Sequence, residues 1–173
     1  MKKLFGVVLL ACALVGCSSS PWKVVRQGSE QPLPDGARFS IVPLDTAALE
    51  KPEQKESLGE WGGSSSALWT TSVTESAALG GIRIADAGDT GDIILRAKVT
   101  EIEPGFVGTV YSRPSKLLLS VNLERPDGSV IDLVEIESST DSTESMKSAG
   151  ERLARNLKMT SKYLVEYLTH RSR

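Results

Sequence analysis

Histidine and cysteine are scarce in this chain of 173 residues. His170, near the carboxyl end, is the only histidine, and the two cysteines, Cys12 and Cys17, stand near the amino end. Serine and cysteine hydrolases activate their nucleophile with a histidine, and zinc sites are built largely from histidine and cysteine. The sequence therefore argues against both classes of site, and we expect no enzymatic activity, no cofactor and no bound metal.

Three aspartates leave one alternative to that expectation. Asp86, Asp89 and Asp92 are spaced by three residues among glycines, and carboxylate oxygens of this kind can bind calcium. Their spacing does not follow the EF-hand loop, and aspartate and glycine are also the usual residues of tight turns. We therefore interpret this segment as a turn between two strands.

An excess of positive charge and a long apolar run are missing as well. Lysine and arginine number 20 and aspartate and glutamate 22, whereas nucleic-acid binding requires a basic surface. We therefore expect no nucleic-acid partner. The longest apolar run, Leu4–Val15, has about a dozen residues, which is short of the roughly 20 that a membrane-spanning helix needs.

What the amino end does contain is the pattern of a secretory signal. Lys2 and Lys3 precede the apolar run, and Leu14-Val15-Gly16-Cys17 ends it. These four residues resemble the lipobox of bacterial lipoproteins. The resemblance implies that residues 1–16 are a cleaved lipoprotein signal peptide, that the Cys17 thiol receives a diacylglyceryl group, and that the new terminus is acylated, with palmitate as the expected chain. The alternative is an ordinary signal peptide with an incidental cysteine.

The residue after the cysteine bears on the membrane that the protein reaches. In well-studied lipoproteins an aspartate at this position favours the inner membrane, and this chain has Ser18 there. The resemblance therefore implies an anchor on the periplasmic face of the outer membrane, in preference to the inner membrane. Cleavage leaves 157 residues with 18 basic and 22 acidic side chains, a formal charge of −4, and no free thiol.

The rest of the chain divides by composition into a tether and one domain. Residues 17–37 are rich in serine, proline, glycine and glutamine, which is typical of a flexible tether behind a lipidated cysteine. Residues 38–173 contain the periodic apolar patterns and are long enough for a single domain. Trp22, Val24 and Val25 interrupt the tether, and we expect them either at the membrane interface or against the domain.

Apolar periodicity predicts an α+β domain. We expect a mostly antiparallel sheet of four to five strands, packed by a long C-terminal helix and a shorter helix. A slip in phase between Ile131/Leu133 and Val134/Ile136 indicates a β-bulge in the last strand. The strands are predicted at 39–44, 82–85, 92–102, 117–123 and 129–138, and the helices at 66–79 and 142–170.

One loop between two strands is unusually apolar. Phe106, Val107, Val110 and Tyr111 lie in a glycine-containing loop, and an exposed apolar loop is a candidate contact for a partner. The alternative is a hairpin that folds against the sheet. Trp61 is a second candidate contact, although its glycine-rich segment is itself typical of a flexible connection that ends in a helix cap.

Several apolar and turn patterns recur together behind the lipobox. They are Ile41-Val42-Pro43, Gly91 to Thr100, Glu103-Pro104-Gly105, Leu119 to Leu123, Asp127-Gly128 and Leu164 to Leu168. Over residues 38–170 the chain thereby resembles a family of bacterial lipoproteins whose domain is similar to the N-terminal domain of TolB and to the curli-secretion and penicillin-binding-protein-activator lipoproteins. The resemblance implies a non-enzymatic envelope component that binds other proteins, and it carries over no active-site residue.

These observations predict a lipid-anchored accessory or assembly protein of the bacterial envelope. We expect it to bind an envelope protein through a sheet edge or through the Phe106–Tyr111 loop. The alternative is an auxiliary lipoprotein subunit of a lipid or solute transport system, since such subunits have a similar size and an amphipathic C-terminal helix. A hydrolase that uses Asp89 and Asp92 is the third and least favoured hypothesis.

Overall fold

The computed structural model describes residues 20–28, 31–49, 52, 54, 56, 64–142 and 148–173. In this part of the chain, six strands form one mixed sheet and two helices share a single apolar core with it. The elements are β1 (Trp22–Gln27), β2 (Arg38–Ile41), α1 (Ser65–Gly80), β3 (Arg83–Ile84), β4 (Ile93–Glu103), β5 (Ser115–Glu124), β6 (Val130–Thr140) and α2 (Ala149–Arg171). The predicted α+β class is confirmed. The predicted number of strands, four to five, is wrong, because the sheet has six. One part of this sheet is parallel, which the prediction did not include.

Strands β4, β5 and β6 form the antiparallel part of the sheet. From Leu117 to Leu123 on β5, every second side chain is buried and those between are partly exposed. This alternation turns one face of the sheet towards the helices. The other face carries ion pairs such as Arg96–Glu124, with 3.2 Å between Nε and Oε2.

Strand β6 contains a bulge, as predicted, but at Ile131 and not at the predicted slip between Leu133 and Val134. Leu123 pairs with Asp132 and Glu124 pairs with Val130, so Ile131 is the extra residue on β6. The bulge lets two consecutive side chains, Ile131 and Asp132, turn towards the core, and both are buried.

The other part of the sheet is parallel. Strand β2 pairs in parallel with both β3 and β4, and α1 supplies the crossover that joins β2 to β3. The chain then passes over β2 to begin β4 on its other side, where Asp92 N donates to Arg38 O at 2.8 Å. A Cβ on Gly91 would lie 2.6 Å from Arg38 O, so this crossing requires glycine.

The segment that composition assigned to a tether contains a strand. Strand β1 pairs with β6, and the Trp22 ring meets Tyr167 edge-on at 6.1 Å between centroids. The other five side chains of β1 are exposed, which is why its composition resembles a tether. The tether interpretation of residues 17–37 is therefore wrong for Trp22–Gln27, and Leu33, buried in the core, also belongs to the domain.

Helix α2 begins at an N-cap serine that lies within the predicted helix. Ser148 Oγ accepts from Glu151 N at 3.1 Å, and Ala149 is the first helical residue. The predicted helical stretch 143–147 lies outside the described residues. Beyond the cap, the predicted stripe is buried as expected, and α2 also packs on α1 where any side chain at Gly80 would overlap Val165. The buried stripe residues are Leu153, Leu157, Thr160, Leu164 and Leu168.

A buried carboxylate joins the amino-terminal segment, the sheet and α2. Asp132, fully buried, accepts from Tyr167 Oη at 2.8 Å and from Arg171 Nε at 2.9 Å. Arg171 Nη1 in turn donates to Gln31 O at 2.6 Å, and Leu33 N donates to Arg171 O at 3.0 Å. Removing one member of a buried pair leaves the other charge uncompensated, so this cluster ties three parts of the chain to one another.

We expect the free energy of unfolding to fall above about pH 10 because of Tyr167. Burial raises the pKa of the Tyr167 hydroxyl above its usual value, and the hydrogen bond and charge of Asp132 raise it further. The unfolded chain therefore releases this proton at a lower pH than the folded chain, and stability decreases as pH rises through that interval. Denaturant titrations of Tyr167→Phe should show a shallower alkaline loss than the unaltered protein.

The matched control for this prediction is Tyr111→Phe, because Tyr111 is an exposed tyrosine. This variant should keep the full alkaline slope. At neutral pH, Tyr167→Phe should be less stable by about 1–3 kcal/mol, since Asp132 loses a hydrogen bond. Equal alkaline slopes for the unaltered protein and Tyr167→Phe would contradict the assignment.

Candidate functional site

The apolar loop between β4 and β5 is a hairpin, called here the apolar hairpin, residues 104–114. Phe106 N donates to Arg113 O at 3.0 Å and Arg113 N donates to Phe106 O at 2.9 Å, so the two arms pair beyond the end of the sheet. The rings of Phe106 and Tyr111 meet edge-on, with centroids 5.2 Å apart. The tip therefore has a defined shape, with two aromatic side chains in contact across it.

Most of the apolar surface of this hairpin faces solvent. Val110 is 92% exposed, Tyr111 70% and Phe106 39%, while Val107 is partly buried. The alternative of a loop folded against the sheet is therefore not observed. The structure brings four of the predicted contact residues together, and Cys17 and Trp61 lie outside the described residues. That these side chains contact a partner stays a prediction.

Both arms of the apolar hairpin are fastened at their base. Arg152, only 3% exposed, donates from Nε to Pro104 O at 3.0 Å and from Nη2 to Gly105 O at 3.1 Å. On the other arm, Ser142 Oγ donates to Arg113 O at 2.6 Å. Hydrogen bonds from a guanidinium are among the stronger ones in proteins, so α2 braces the base of the hairpin.

Helical periodicity misplaces Arg152. A stripe through Leu153 and Leu157 puts Arg152 among the exposed charges of α2, but the structure buries it against the hairpin base. An arginine at the edge of an apolar stripe is usually solvated, and nothing in the local pattern marks this one. The Pro104–Gly105 turn, which the fold brings beside α2, supplies two acceptors for the guanidinium.

A polar seam lies directly behind the hairpin, between α2 and the adjoining ends of β5 and β6. Asn156 Nδ2 donates to Ser115 Oγ at 3.0 Å, and Thr140 Oγ1 donates to Asn156 Oδ1. Ser138 Oγ lies 2.8 Å from Thr160 Oγ1. All five side chains are buried. Satisfied buried polar groups specify one arrangement of the elements that carry them, so this seam positions α2 relative to the sheet end.

A cleft of about 300 Å³ opens at the base of the hairpin. Phe106 and the backbone of β4 line it, and the Arg113–Glu103 ion pair, 2.9 Å long, stands on its wall. Gln54 Nε2 donates to Ile102 O at 3.4 Å on the same wall. The cleft therefore combines an aromatic surface with charges of both signs, which suits a segment of another polypeptide better than a single small ion.

The aspartates that suggested calcium belong to the opposite end of the sheet. Asp92 Oδ2 accepts from Arg38 N at 2.9 Å, and Asp86 and Asp89 line a separate cavity of about 450 Å³ beside α1. Within the described segments, no three histidine, cysteine, aspartate or glutamate side chains are placed where they could hold a metal ion together.

The sheet edges are poorly suited to pairing with another chain. Strand β3 has two residues, and β1 is interrupted by an irregularity between Val24 and Arg26. Lys23 and Arg26 add charge to β1. Short edge strands, bulges and charges are features that prevent edge pairing. The apolar hairpin and its cleft are therefore the more suitable of the two predicted contacts.

Among the residues that the structure describes, neither helix combines the length and the apolar character of a membrane span. No protein-family profile matches the chain, and no curated protein matches it either.

Solved structures share part of the fold. The PelC dodecamer from Paraburkholderia phytofirmans has a TM-score of 0.46 at 16% identity, covering 83% of this chain and 96% of that one. The hypothetical protein CT253 from Chlamydia trachomatis has 0.49 at 8%, covering 75% and 96%. Lipoprotein GNA1162 from Neisseria meningitidis has 0.43 at 11%, covering 78% and 99%. At such scores and identities the likeness carries nothing about partner or assembly.

We expect Arg152→Met to loosen the apolar hairpin. The substitution keeps a long apolar stem but removes the donors to Pro104 O and Gly105 O, and losing hydrogen bonds from a charged group should cost about 1.5–3 kcal/mol. Amide hydrogen exchange of Phe106 and Arg113 should accelerate, while Leu119 in the middle of β5 changes only with global stability.

Arg152→Lys is the matched control, because it keeps the charge but lacks the fork that reaches two carbonyl groups. It should give an intermediate acceleration of exchange. If exchange at Phe106 and Arg113 were unchanged in Arg152→Met, the bracing role of Arg152 would be wrong.

Proposed function

We propose that this chain is a lipid-anchored, non-enzymatic accessory protein of the bacterial envelope that binds an envelope protein. Its anchor is the acylated Cys17, on the periplasmic face of the outer membrane. The observation that carries the proposal is the pairing of a braced, solvent-exposed apolar hairpin with a cleft at its base. Exposed apolar surface next to a concave site is typical of surfaces that bind other molecules.

The cleft at the hairpin base is the proposed contact for the protein partner. Phe106 offers a partly exposed ring to an apolar side chain, and Glu101 and Arg113 line the cleft with charges of opposite sign. Aromatic and arginine side chains carry much of the affinity in protein interfaces. Because α2 braces the hairpin through Arg152, the cleft is held in shape before the partner arrives, which lowers the entropic cost of binding.

The lipid anchor is supported by the lipobox at Leu14-Val15-Gly16-Cys17. Ser20 follows Cys17 by three residues, and its Oγ donates to Trp22 O at 2.9 Å. Several acyl chains together give a stable anchor, because each buried CH₂ contributes about 0.8 kcal/mol.

Replacing the lipidated residue tests the anchor. In cells, Cys17→Ser should take up no labelled palmitate and should leave the membrane fraction, because the thiol that accepts the diacylglyceryl group is missing. A Ser18→Ala variant, which keeps the cysteine, should remain lipidated. Membrane association and palmitate labelling that persist in Cys17→Ser would contradict the anchor.

Photo-crosslinking tests the partner. A photoreactive residue in place of Glu101, exposed in the cleft, should crosslink one abundant envelope protein in living cells. The same probe at Thr90, exposed at the opposite end of the sheet, is the matched control. The same products from both positions, or none from Glu101, would count against a partner in the cleft. Crosslinks only between copies of this chain would indicate that the cleft binds a second copy and not a different envelope protein.

A further inference from the structure

Strand directions place the apolar hairpin and the anchored amino end on the same side of the domain. Strand β4 ends and β5 begins at the hairpin. Strand β6 is antiparallel to β5, and β1 is antiparallel to β6, so β1 begins where β5 begins. Two strand spacings, about 10 Å, separate β1 from β5. The chain therefore enters the domain beside the hairpin.

The hydrogen-bonded pairs of the sheet show how far along the strand direction the amino end of β1 and the hairpin base lie. Pro21 O accepts from Glu137 N at 3.3 Å, and Glu137 pairs with Leu118. The hairpin base, where Lys116 pairs with Glu103, lies two residues further, about 7 Å nearer the end. The base of the hairpin is therefore already beyond the level at which the chain enters β1.

The reach of the anchor is short on this scale. Cys17 is three residues before Ser20, so its Cα lies within about 11 Å of Ser20, whatever the path between them. The paired residues Phe106 and Arg113 follow the hairpin base by three residues, about 10 Å of strand. Cys17 can therefore lie near the level of the Phe106–Arg113 pair, at the end of the domain that carries the hairpin.

The chemistry of the tip suits this position. Phe106-Val107-Gly108-Thr109-Val110-Tyr111-Ser112 contains no charged residue. Its most exposed side chains, Val110 and Tyr111, are apolar and amphipathic, the types that settle at the boundary of a bilayer. Leu79 is as exposed as Val110, but it ends α1 without such neighbours, and single exposed apolar residues are ordinary.

We propose that Val110 and Tyr111 insert into the lipid interface of the membrane that holds Cys17. The hairpin tip is then a second attachment point, distinct from the cleft proposed for the protein partner. This inference rests on the proposed lipid anchor and not on the partner. With two attachment points, the strands lie at a steep angle to the membrane plane, and the cleft stays close to the headgroups.

The absence of a free thiol makes a direct test possible. Cys12 leaves with the signal peptide and Cys17 carries lipid, so a cysteine placed in the full-length acylated protein is the only reactive thiol. Val110→Cys and Thr90→Cys would each carry an environment-sensitive dye. After reconstitution into vesicles of phosphatidylethanolamine and phosphatidylglycerol, the dye at position 110 should shift to the blue and be quenched by headgroup-labelled lipid. The dye at position 90, at the far end, should do neither.

Flotation of the vesicles separates the two proposals. Protein that fails to float would overturn the lipid anchor and this inference together. Protein that floats while the dye at position 110 keeps its aqueous emission would overturn this inference alone. Tyr111→Asp in the Val110→Cys background should reduce quenching, because a charge opposes insertion. A photoreactive residue at position 110 that joins a protein in cells, and no lipid, would also overturn it.

Discussion

The constraint on which the account depends is the short chain between Cys17 and β1. A cysteine that carries lipid is bound to the membrane, and Ser20, the first residue that the structure describes, follows Cys17 by three residues. Three residues can span at most about 11 Å, so Cys17 lies within that distance of Ser20. A protein held in this way would lie close to the membrane surface. The direction of β1 then decides which end of the sheet faces the membrane.

Two buried clusters make this geometry rigid. At one end of α2, Arg152 and the Asn156 seam fasten the helix to the hairpin and to the ends of β5 and β6. At the other, Asp132 binds Tyr167 and Arg171, and Arg171 holds the segment that links β1 to β2. Because buried polar groups are costly when unpaired, each cluster favours a single arrangement. The sheet, the hairpin and the segment between β1 and β2 therefore have a defined relation to one another.

Local patterns predicted those features that depend on neighbouring residues. The alternation on β5 and the stripe of α2 follow from periodicity, and the structure confirms them. Strand β6 also contains a bulge, but at Ile131, earlier in the strand than the phase slip predicted. Strand β1 escaped prediction because five of its six side chains are exposed and its order comes from backbone pairing with β6 and from the contact between Trp22 and Tyr167. The composition of a short segment does not show whether that segment pairs with a strand far away in the sequence.

The residues of the candidate site also fall into two groups, those that a local pattern predicts and those that only the fold brings together. Its apolar residues were predicted from composition, since Phe106, Val107, Val110 and Tyr111 stand together in the chain. Arg152, which braces them, lies more than forty residues away, and its role exists only because the fold brings it to Pro104. The parallel pairing of β2 with β4 is similarly a product of topology, as α1 and the crossing segment at Gly91 carry the chain to both sides of β2.

Neutron reflectometry of the full-length acylated protein on a supported bilayer tests whether the domain lies directly against the membrane. It measures how protein density is distributed along the membrane normal. We expect protein density to begin within the headgroup layer, with no water-filled gap. A layer of water between the lipid and the domain of the unaltered protein would contradict it.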